Sequence, residues 1–467
     1  MNIKPILLFC LLVMATAESN ARSIVIDTER RAQTFEGWGV SLCWWANMCG
    51  KWDEEKVDEI VDWLTSPEGL NYNIFRYNIG GGDDPQWRHC TPHHMAKGKG
   101  ERAEMEGFKD GPDCDYDWSR DEGQRRIMLK IKEKRPDAIF EAFSNSPPYW
   151  MTYSGCVGGN IPANSDNLRP EYYEAFAHYL VDVCKHYKEA YGIEFRTLEP
   201  FNEPVTNYWN TSGSQEGCYF STESQIAFLK VLKPVLDASG LGTVISASDE
   251  TSVEQSVKDF KAYANDGTAL DIVSQWNTHT YHATDDARRE ISELARKHGK
   301  RLWMSEVGDG GRGIFGNLKV AKKLIDDIRH IKPVAWVDWQ YIEEFNDQWC
   351  LVTGHFKSQR YHKIKNYYVR QQFSRFLTAG CTFIETENDE TLAALSQDNN
   401  LVIVMLNKGR EAVTREIRIK GKKEAVRHEI IKAYRTSINE DLTPVSSDGL
   451  TFSLPAHSVT TVIMRLP

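Results

Sequence analysis

Long apolar runs and surplus positive charge are both scarce in this sequence of 467 residues. Beyond Ala17 no stretch approaches the roughly 20 consecutive apolar residues that a transmembrane helix needs, so no integral membrane association is expected. Lys and Arg number 56 against 66 Asp and Glu, which gives a formal net charge of −10. Because a negative surface repels phosphate backbones, we expect no nucleic-acid partner and a neutral ligand.

Two motifs of other α/β enzymes are missing. No glycine-rich phosphate-binding fingerprint follows the first predicted strand, and Gly80-Gly81-Gly82 lacks its spacing. No Gly-x-Ser-x-Gly elbow occurs, which argues against a hydrolase with a serine nucleophile. Internal repeats are absent, and no linker rich in Pro, Gly and Ser interrupts the chain near residue 380.

Cysteine is neither dense nor regularly spaced. Loss of a leader that contains Cys10 would leave nine cysteines, an odd number, so a disulfide framework is not indicated. Pairing of Cys90 with Cys114, or of Cys156 with Cys218, is open in an oxidising compartment. Cys184 lies in a helical apolar pattern, and we expect it to be buried and free.

The run His89-Cys90-Thr91-Pro92-His93-His94 contains metal-binding residue types, but they are nearly adjacent and have no second cluster. We interpret the run as a polar loop at the rim of a cleft. No metal and no cofactor is expected.

The N-terminus has the pattern of a signal peptide over residues 1–17. Lys4 precedes an apolar run from Ile6 to Met14, and Ala15-Thr16-Ala17 has the small-x-small form of a signal peptidase site. We therefore expect cleavage near Ala17 and a secreted or periplasmic protein. A lipid anchor at Cys10 is not favoured, because bulky Phe9 precedes it.

Residues 36–379 alternate between short apolar runs and amphipathic helical stretches. This alternation predicts the α/β class, with parallel strands covered by helices, and eight such pairs match a (β/α)8 barrel. The predicted strands are Gly37–Trp44, Ile74–Asn78, Ala138–Phe143, Phe195–Phe201, Thr243–Ala247, Ile272–Trp276, Arg301–Ser305 and Val334–Gln340.

After residue 379 the apolar residues alternate with a period of two, which predicts an antiparallel β-sandwich over residues 380–467. Residues 18–35 contain a short strand, Ser23–Ile26, that we expect to join this sandwich. Without a flexible linker, a unit packed on the barrel is favoured over a separate module. The predicted strands are Thr391–Ser396, Leu401–Leu406, Val413–Ile419, His428–Ala433 and Val459–Met464.

Two glutamates directly follow predicted barrel strands. Asn202-Glu203-Pro204 ends strand four and Ser305-Glu306 ends strand seven, and in such a barrel these ends converge on the active site. Two converging carboxyls are what glycosidic hydrolysis requires, one to protonate the leaving oxygen and one to attack the anomeric carbon. The alternative for each is an ion pair with a buried arginine. The amide of Asn202 beside the acid suits a sugar hydroxyl.

Motifs along nearly the whole chain resemble those of glycoside hydrolase family 30. They are Gly37-Trp38-Gly39-Val40-Ser41, Phe75-Arg76-Tyr77-Asn78, Asn145-Ser146-Pro147-Pro148-Tyr149-Trp150-Met151, Asn202-Glu203-Pro204, Thr278-His279-Thr280-Tyr281, Ser305-Glu306 and the helix Tyr367–Phe376. The resemblance implies that Glu203 is the acid/base and Glu306 the nucleophile of a retaining glycosidase. It places Arg76 and Tyr281 beside the nucleophile, where they would keep it ionised.

The same resemblance implies further substrate-binding residues. His279 accompanies Tyr281, Asp83 falls where relatives carry a carboxylate for sugar hydroxyls, and Trp339 matches the aromatic floor under the sugar. Trp44, in the segment Ser41–Asn47 after the strand-one motif, and Trp150, in the strand-three motif, are further candidates. The structural alternatives are a core ion pair for Arg76, a satisfied core histidine for His279 and simple packing for Trp339.

The expected partner is a β-linked oligo- or polysaccharide. The segment Ser41–Asn47, with Trp44 and Trp45, resembles the endo-β-1,6-galactanase branch of the family. β-1,6-Glucanase, xylanase and glucosylceramidase-type activities are the alternatives within it. A carbohydrate-binding barrel without catalysis is the alternative of another class, and retention of both glutamates argues against it. The oligomeric state is not readable from the sequence.

Overall fold

A computed structural model describes residues 22–82, 84, 105–308, 310–420 and 429–466. In this part of the chain the strands are β1 (Arg22–Thr34), β2 (Gly37–Ser41), β3 (Ile74–Asn78), β4 (Ile139–Phe143), β5 (Thr197–Glu199), β6 (Val244–Ser252), β7 (Val273–His282), β8 (Arg301–Val307), β9 (Ala335–Asp338), β10 (Ile342–Glu344), β11 (Val352–His355), β12 (Arg360–Lys363), β13 (Thr382–Thr386), β14 (Thr391–Leu395), β15 (Asn400–Asn407), β16 (Val413–Lys420), β17 (Glu429–Thr436), β18 (Thr443–Pro444), β19 (Thr451–Leu454) and β20 (Ser458–Arg465). The α-helices are α1 (Trp45–Cys49), α2 (Glu54–Thr65), α3 (Glu122–Lys134), α4 (Tyr173–Tyr191), α5 (Thr222–Ala238), α6 (Val253–Asp266), α7 (Ala269–Ile272), α8 (Asp285–Lys297), α9 (Gly313–Asp326) and α10 (Lys365–Ser374), and one π-helical turn spans Asp327–Ile331.

Strands β2 to β9 close into a parallel barrel in chain order. Each overlaps one of the eight predicted strands, so the predicted fold class is confirmed. The predictions end too early for β6 and β7, which continue to Ser252 and His282. The residues of these extensions are polar, so strands predicted from apolar runs end before them.

Side-chain alternation along β3 shows how the barrel separates its layers. Ile74 lies in an apolar cluster inside the barrel with Trp303, Ala335 and Val337. Phe75 and Tyr77 belong instead to the large core shared with the surrounding helices. Arg76, between them, is fully buried and lies on the same face as Ile74. The interior therefore changes from apolar to charged toward the carboxyl ends of the strands.

Helix α4 illustrates how the helices cover the barrel. Its apolar residues Phe176, Tyr179, Leu180 and Val183 are buried. Their spacing of three and four places these side chains on one face of the helix. The helix ends at Tyr191, and Gly192 follows as the C-cap, where its φ of +63° suits a residue without Cβ.

The C-terminal strands form a nine-stranded sheet in the order β18-β17-β20-β15-β14-β13-β1-β16-β19. Ser23–Ile26 lies within β1, which pairs antiparallel with β13 and parallel with β16; the other pairs are antiparallel. Strands β13, β18 and β19 were not predicted from the sequence.

Strand β15 is buried on both faces. Leu401, Ile403 and Met405 lie in the core of the sandwich. Val402 and Val404 belong to the barrel core. Because one strand contributes to both cores, the sandwich and the barrel pack as one unit.

Seven cysteines of the described residues are free thiols, Cys114 and Cys218 among them, whereas Cys156 is disulfide-bonded. The pairings Cys90–Cys114 and Cys156–Cys218 are therefore wrong, since sequence position does not reveal the distance between two thiols. Cys184 is buried and free, as expected.

A membrane-spanning helix of sufficient length and apolarity does not occur in the described part of the chain. The predicted signal peptide lies outside the described residues.

Candidate active site

A cavity of about 410 Å³ lies at the carboxyl ends of the barrel strands. Glu203 and Glu306 face it, so the two strand-end glutamates are brought together as expected. Five aromatic side chains line the same cavity: Tyr208, Trp209, Tyr281, Trp339 and Trp349. Carboxyl groups surrounded by aromatic rings are an arrangement that suits a sugar ring.

A β-bulge directs Glu306 into the cavity. Along β8 the pairing with β7 passes from Thr278↔Met304 to His279↔Glu306, so β8 holds one residue more than its neighbour. The pairing of β8 with β9 shows the same shift after Met304. Regular alternation would place Ser305 and Glu306 on opposite faces, and a bulge re-aims a side chain in this way. Glu306 is 3% exposed.

Glu203 lies in the loop after β5 and has a φ of +48°, which is uncommon for a residue with a side chain. Its N–H donates to the carbonyl of Asp249 at 2.9 Å. Asp249 also has a positive φ, +60°. The surrounding structure holds both residues in a sparsely populated conformation, a feature that clusters at functional sites. The Glu203 Oε2 atom accepts a hydrogen bond from the Tyr208 hydroxyl at 2.5 Å.

His279 stands between the two glutamates. One oxygen of each carboxyl and one imidazole nitrogen lie within 4.8 Å of one another. Nδ1 is 3.3 Å from Glu203 and 3.7 Å from Glu306, and Nε2 is 3.1 Å from Oδ1 of Asp249. Burial alone would lower the pKa of His279, but Glu306 and Asp249 outweigh it and raise the pKa to about 10. A protonated imidazole donates from both ring nitrogens, so His279 is placed to share protons with the surrounding carboxylates.

Arg76 contacts the carboxylate of Glu306. Its Nη1 lies 3.4 Å from Glu306 Oε2 and donates to the Ser305 carbonyl at 3.2 Å. Nε donates to Glu141 at 2.8 Å, and Nη2 pairs with Asp249. Arg76 is thus both a core ion-pair residue, the structural alternative, and a neighbour of Glu306.

The Tyr281 hydroxyl donates to Glu306 Oε1 at 2.9 Å. Burial nevertheless raises the pKa of Glu306 to about 7, and the nearby Glu203 adds to this rise, while His279 and Arg76 oppose it. The expected contacts are present, but burial has more effect on Glu306 than the sequence analysis assumed.

Trp339 and Asn202 line the cavity, and Oδ1 of Asn202 has no hydrogen-bond partner among the described residues. Trp44 is buried behind Trp339, with the ring centroids 6.0 Å apart and nearly perpendicular, and does not itself line the cavity. Trp44 therefore fixes the orientation of the Trp339 ring.

Trp150 is not among the residues that line the cavity. Its Nε1 donates to the carbonyl of Lys109 at 2.9 Å, and its ring packs edge-to-face on Tyr172. The structure thus gives Trp150 packing and hydrogen-bonding contacts away from the two glutamates. Asp83 and the loop His89–His94 lie outside the described residues.

Asp249 is the main site residue that the sequence analysis missed. Its buried carboxylate contacts Arg76, His279 and the Ser305 hydroxyl, which donates at 2.5 Å. Burial alone would raise the pKa of Asp249, but Arg76 and His279 lower it to about 2. The polar run Ser248-Asp249-Glu250, directly after the predicted strand five, was the available signal.

Tyr208 and Trp349 were also missed. Both lie outside the barrel strands, in segments without apolar periodicity, yet both line the cavity. Their side chains are 41% and 37% exposed. Only their nearness in space to Glu203 and Glu306 reveals them.

Comparisons with known proteins agree with this geometry. Residues 21–296 match the model of O-Glycosyl hydrolase family 30, and residues 380–462 match the family 30 beta sandwich domain. An endo-beta-1,6-galactanase of Hypocrea rufa is 31% identical over 418 residues, which cover 85% of this chain and 84% of that protein. An exo-beta-1,6-galactobiohydrolase of Bifidobacterium longum is 25% identical over 426 residues, covering 71% of this chain and 28% of that protein.

The fold is shared with a solved structure, the catalytic domain of GH30 xylanase C from Talaromyces cellulolyticus. The TM-score is 0.73 at 19% identity, with 95% of this chain and 100% of that chain covered. With a family model matching more than half of its residues, this chain belongs to glycoside hydrolase family 30 and is an enzyme that acts on O-glycosyl bonds.

Proposed function

We propose that the enzyme hydrolyses its substrate with net retention, through a covalent intermediate on Glu306. The observation that carries this proposal is the closeness of the two carboxyls, whose nearest oxygens lie within 4.8 Å of one another. Retaining enzymes place the carboxyls about 5 Å apart, whereas inverting enzymes leave a wider gap for water. The geometry therefore supports direct attack by a carboxylate.

In the first step Glu306 attacks the anomeric carbon, and the bond to the leaving oxygen breaks. The electron pair of that bond goes to the leaving oxygen, which takes the proton of Glu203. Water then attacks the same carbon, its proton goes to Glu203, and Glu306 is released. Tyr281 and Arg76 orient Glu306. Tyr208 and His279 orient Glu203.

β-1,6-Linked galactan, cleaved internally, is the proposed substrate. The Hypocrea rufa relative is named an endo-beta-1,6-galactanase, which supports both the linkage and internal cleavage. The Bifidobacterium longum relative is named an exo-beta-1,6-galactobiohydrolase, which supports the β-1,6-galactosyl linkage alone. The exposed rings of Tyr208 and Trp349 offer stacking surfaces on the cavity wall, which suits a chain longer than one sugar.

Product analysis on a panel of polysaccharides tests this proposal. With β-1,6-galactan the enzyme is expected to release short galacto-oligosaccharides, measured by chromatography over a time course. β-1,6-Glucan, xylan and aryl β-glycosides serve as comparison substrates. Release of single sugars alone, or much faster hydrolysis of β-1,6-glucan or xylan, would reject the substrate assignment and leave the family unchanged.

The pH profile should report the ionisation of Glu306. Attack requires the carboxylate, and the pKa of Glu306 is raised to about 7, so kcat/KM is expected to fall as the pH falls through this value. The fall of kcat/KM at low pH is the acid limb of the pH profile. His279→Asn removes a cation that lowers the pKa of Glu306, so this acid limb should move to higher pH.

The control for this profile is His282→Asn. His282 lines the same cavity but is exposed. Its replacement should leave the acid limb in place. An acid limb that is unmoved, or that moves to lower pH, in His279→Asn would contradict the electrostatic role given to His279.

A further inference from the structure

We infer that a second cavity, formed where the barrel meets the sandwich, binds a small organic anion: a carboxylate or a phosphate carried on an apolar or ring-shaped body. This cavity has a volume of about 470 Å³, within the range of ligand pockets. None of its lining residues lines the cavity of Glu203 and Glu306.

Elements from both parts of the fold build this cavity: β1 and β13 from the sheet, and α8 with the π-helical turn from the barrel. The C-terminal end of α8 and the π-helical turn lead into the starts of β8 and β9, at the end of the barrel opposite the active site. A ligand here would contact the barrel and the sandwich together, away from the catalytic residues.

The walls carry an excess of positive charge. Among the described residues, the cavity is lined by five cationic side chains, Arg30, Arg289, Arg296, Arg329 and Lys332, and by the two carboxylates of Glu293 and Glu385. The whole chain has a formal net charge of −10, so this concentration of cations is local. Several positive charges in one concave site attract an anion.

Several of these cations remain available to a ligand. Arg30 and Lys332 both pair with the carboxylate of Glu385, and Arg30 also lies 3.8 Å from the largely exposed carboxylate of Glu387. Among the described residues, the guanidinium of Arg296 has no hydrogen-bond or ion-pair partner. Arg289 pairs with Asp286, which is almost fully exposed, and such surface pairs contribute little.

Arg329 is held rigidly, because its Nη1 donates to Thr386 Oγ1 at 2.8 Å. Guanidinium groups bind carboxylate and phosphate in a bidentate manner, so these arginines suit either group. The side chains of Ala32, Phe383 and Leu392 supply an apolar surface in the same cavity. Cations beside apolar side chains favour an organic anion over a bare inorganic ion.

Calorimetric titration of the full-length protein tests the inference with four probes: benzoate, phenyl phosphate, inorganic phosphate and neutral benzyl alcohol. At least one of the two organic anions is expected to bind, more tightly than inorganic phosphate and with an affinity that falls at high salt. Whichever of benzoate and phenyl phosphate binds more tightly shows whether the site prefers a carboxylate or a phosphate group. Benzyl alcohol should not bind.

The double variant Arg289→Gln/Arg296→Gln should weaken that binding at least tenfold. Lys297→Gln, the matched control, removes one charge beside Arg296 from a residue that does not line the cavity, and should change the affinity less than twofold. Hydrolysis of an aryl glycoside should stay unchanged in all variants, so the result does not depend on the proposed catalytic mechanism.

Three outcomes would overturn the inference: no binding of either organic anion, equal binding in the double variant, or inorganic phosphate binding as tightly as both organic anions.

Discussion

Replacing Glu306 by alanine is expected to remove nearly all turnover, a loss of several kcal/mol of transition-state stabilisation, on the order of 10⁵-fold in kcat. The reason is that, among the described residues that line the cavity, Glu306 is the carboxylate proposed to form the glycosyl-enzyme. Glu203→Ala should be milder on an aryl glycoside with a good leaving group, because such a substrate needs little acid assistance. Initial rates on aryl and polymeric substrates measure the difference.

Two measurements distinguish the nucleophile role of Glu306 from the acid/base role of Glu203: rescue by azide, and the anomer of the first product. With Glu203→Ala, azide should restore turnover and give a β-glycosyl azide, since it attacks the intermediate that Glu306 forms. Proton NMR of the wild-type reaction should show a β-anomer first from a β-substrate. An α-anomer first, or a β-azide with Glu306→Ala in place of Glu203→Ala, would reverse or reject the assignment.

Replacing Asp249 by asparagine is expected to lower kcat on the order of 10²-fold, although Asp249 does not line the cavity. Its carboxylate contacts Arg76 and His279, and its carbonyl accepts from the N–H of Glu203. Loss of this charge leaves two buried cations short of a partner and loosens the positions of both glutamates. Unfolding in urea should show a loss of about 3 kcal/mol.

Asp327→Asn is the matched control. Asp327 is also fully buried and pairs with an arginine, Arg288, at 2.9 Å, but it lies in the π-helical turn and does not line the cavity; its other carboxylate oxygen accepts from Thr280 Oγ1 at 3.0 Å. It should lose a similar amount of stability and keep its kcat. If Asp249→Asn loses only stability, or if both variants lose activity equally, Asp249 has no specific positioning role.

Periodicity was sufficient to predict the barrel, because every barrel strand has an apolar core that alternation along the chain reveals. It was insufficient where polar residues continue a strand, and Asp249 lies in such a place, within β6. The two glutamates proposed as the catalytic pair were predicted from the order of strand ends together with the family resemblance. The bulge that directs Glu306 was not predictable, since it depends on the pairing of β8 with both neighbours. Tyr208 and Trp349 belong to loops, whose paths no periodic pattern specifies.

Strand β1 has a consequence for how the chain reaches its native state. It lies between β13 and β16, so residues 22–34 complete their ladders only with residues 382–386 and 413–420. During synthesis β1 therefore emerges from the ribosome long before β13 and β16. Until those strands are made, the backbone N–H and C=O groups on both edges of β1 have no strand partner. Closing so long a loop costs entropy that grows only slowly with length, so the penalty falls on the folding rate more than on final stability. We therefore expect the nascent barrel to form first from local β/α contacts, and β1 to dock between β13 and β16 as a late step of folding.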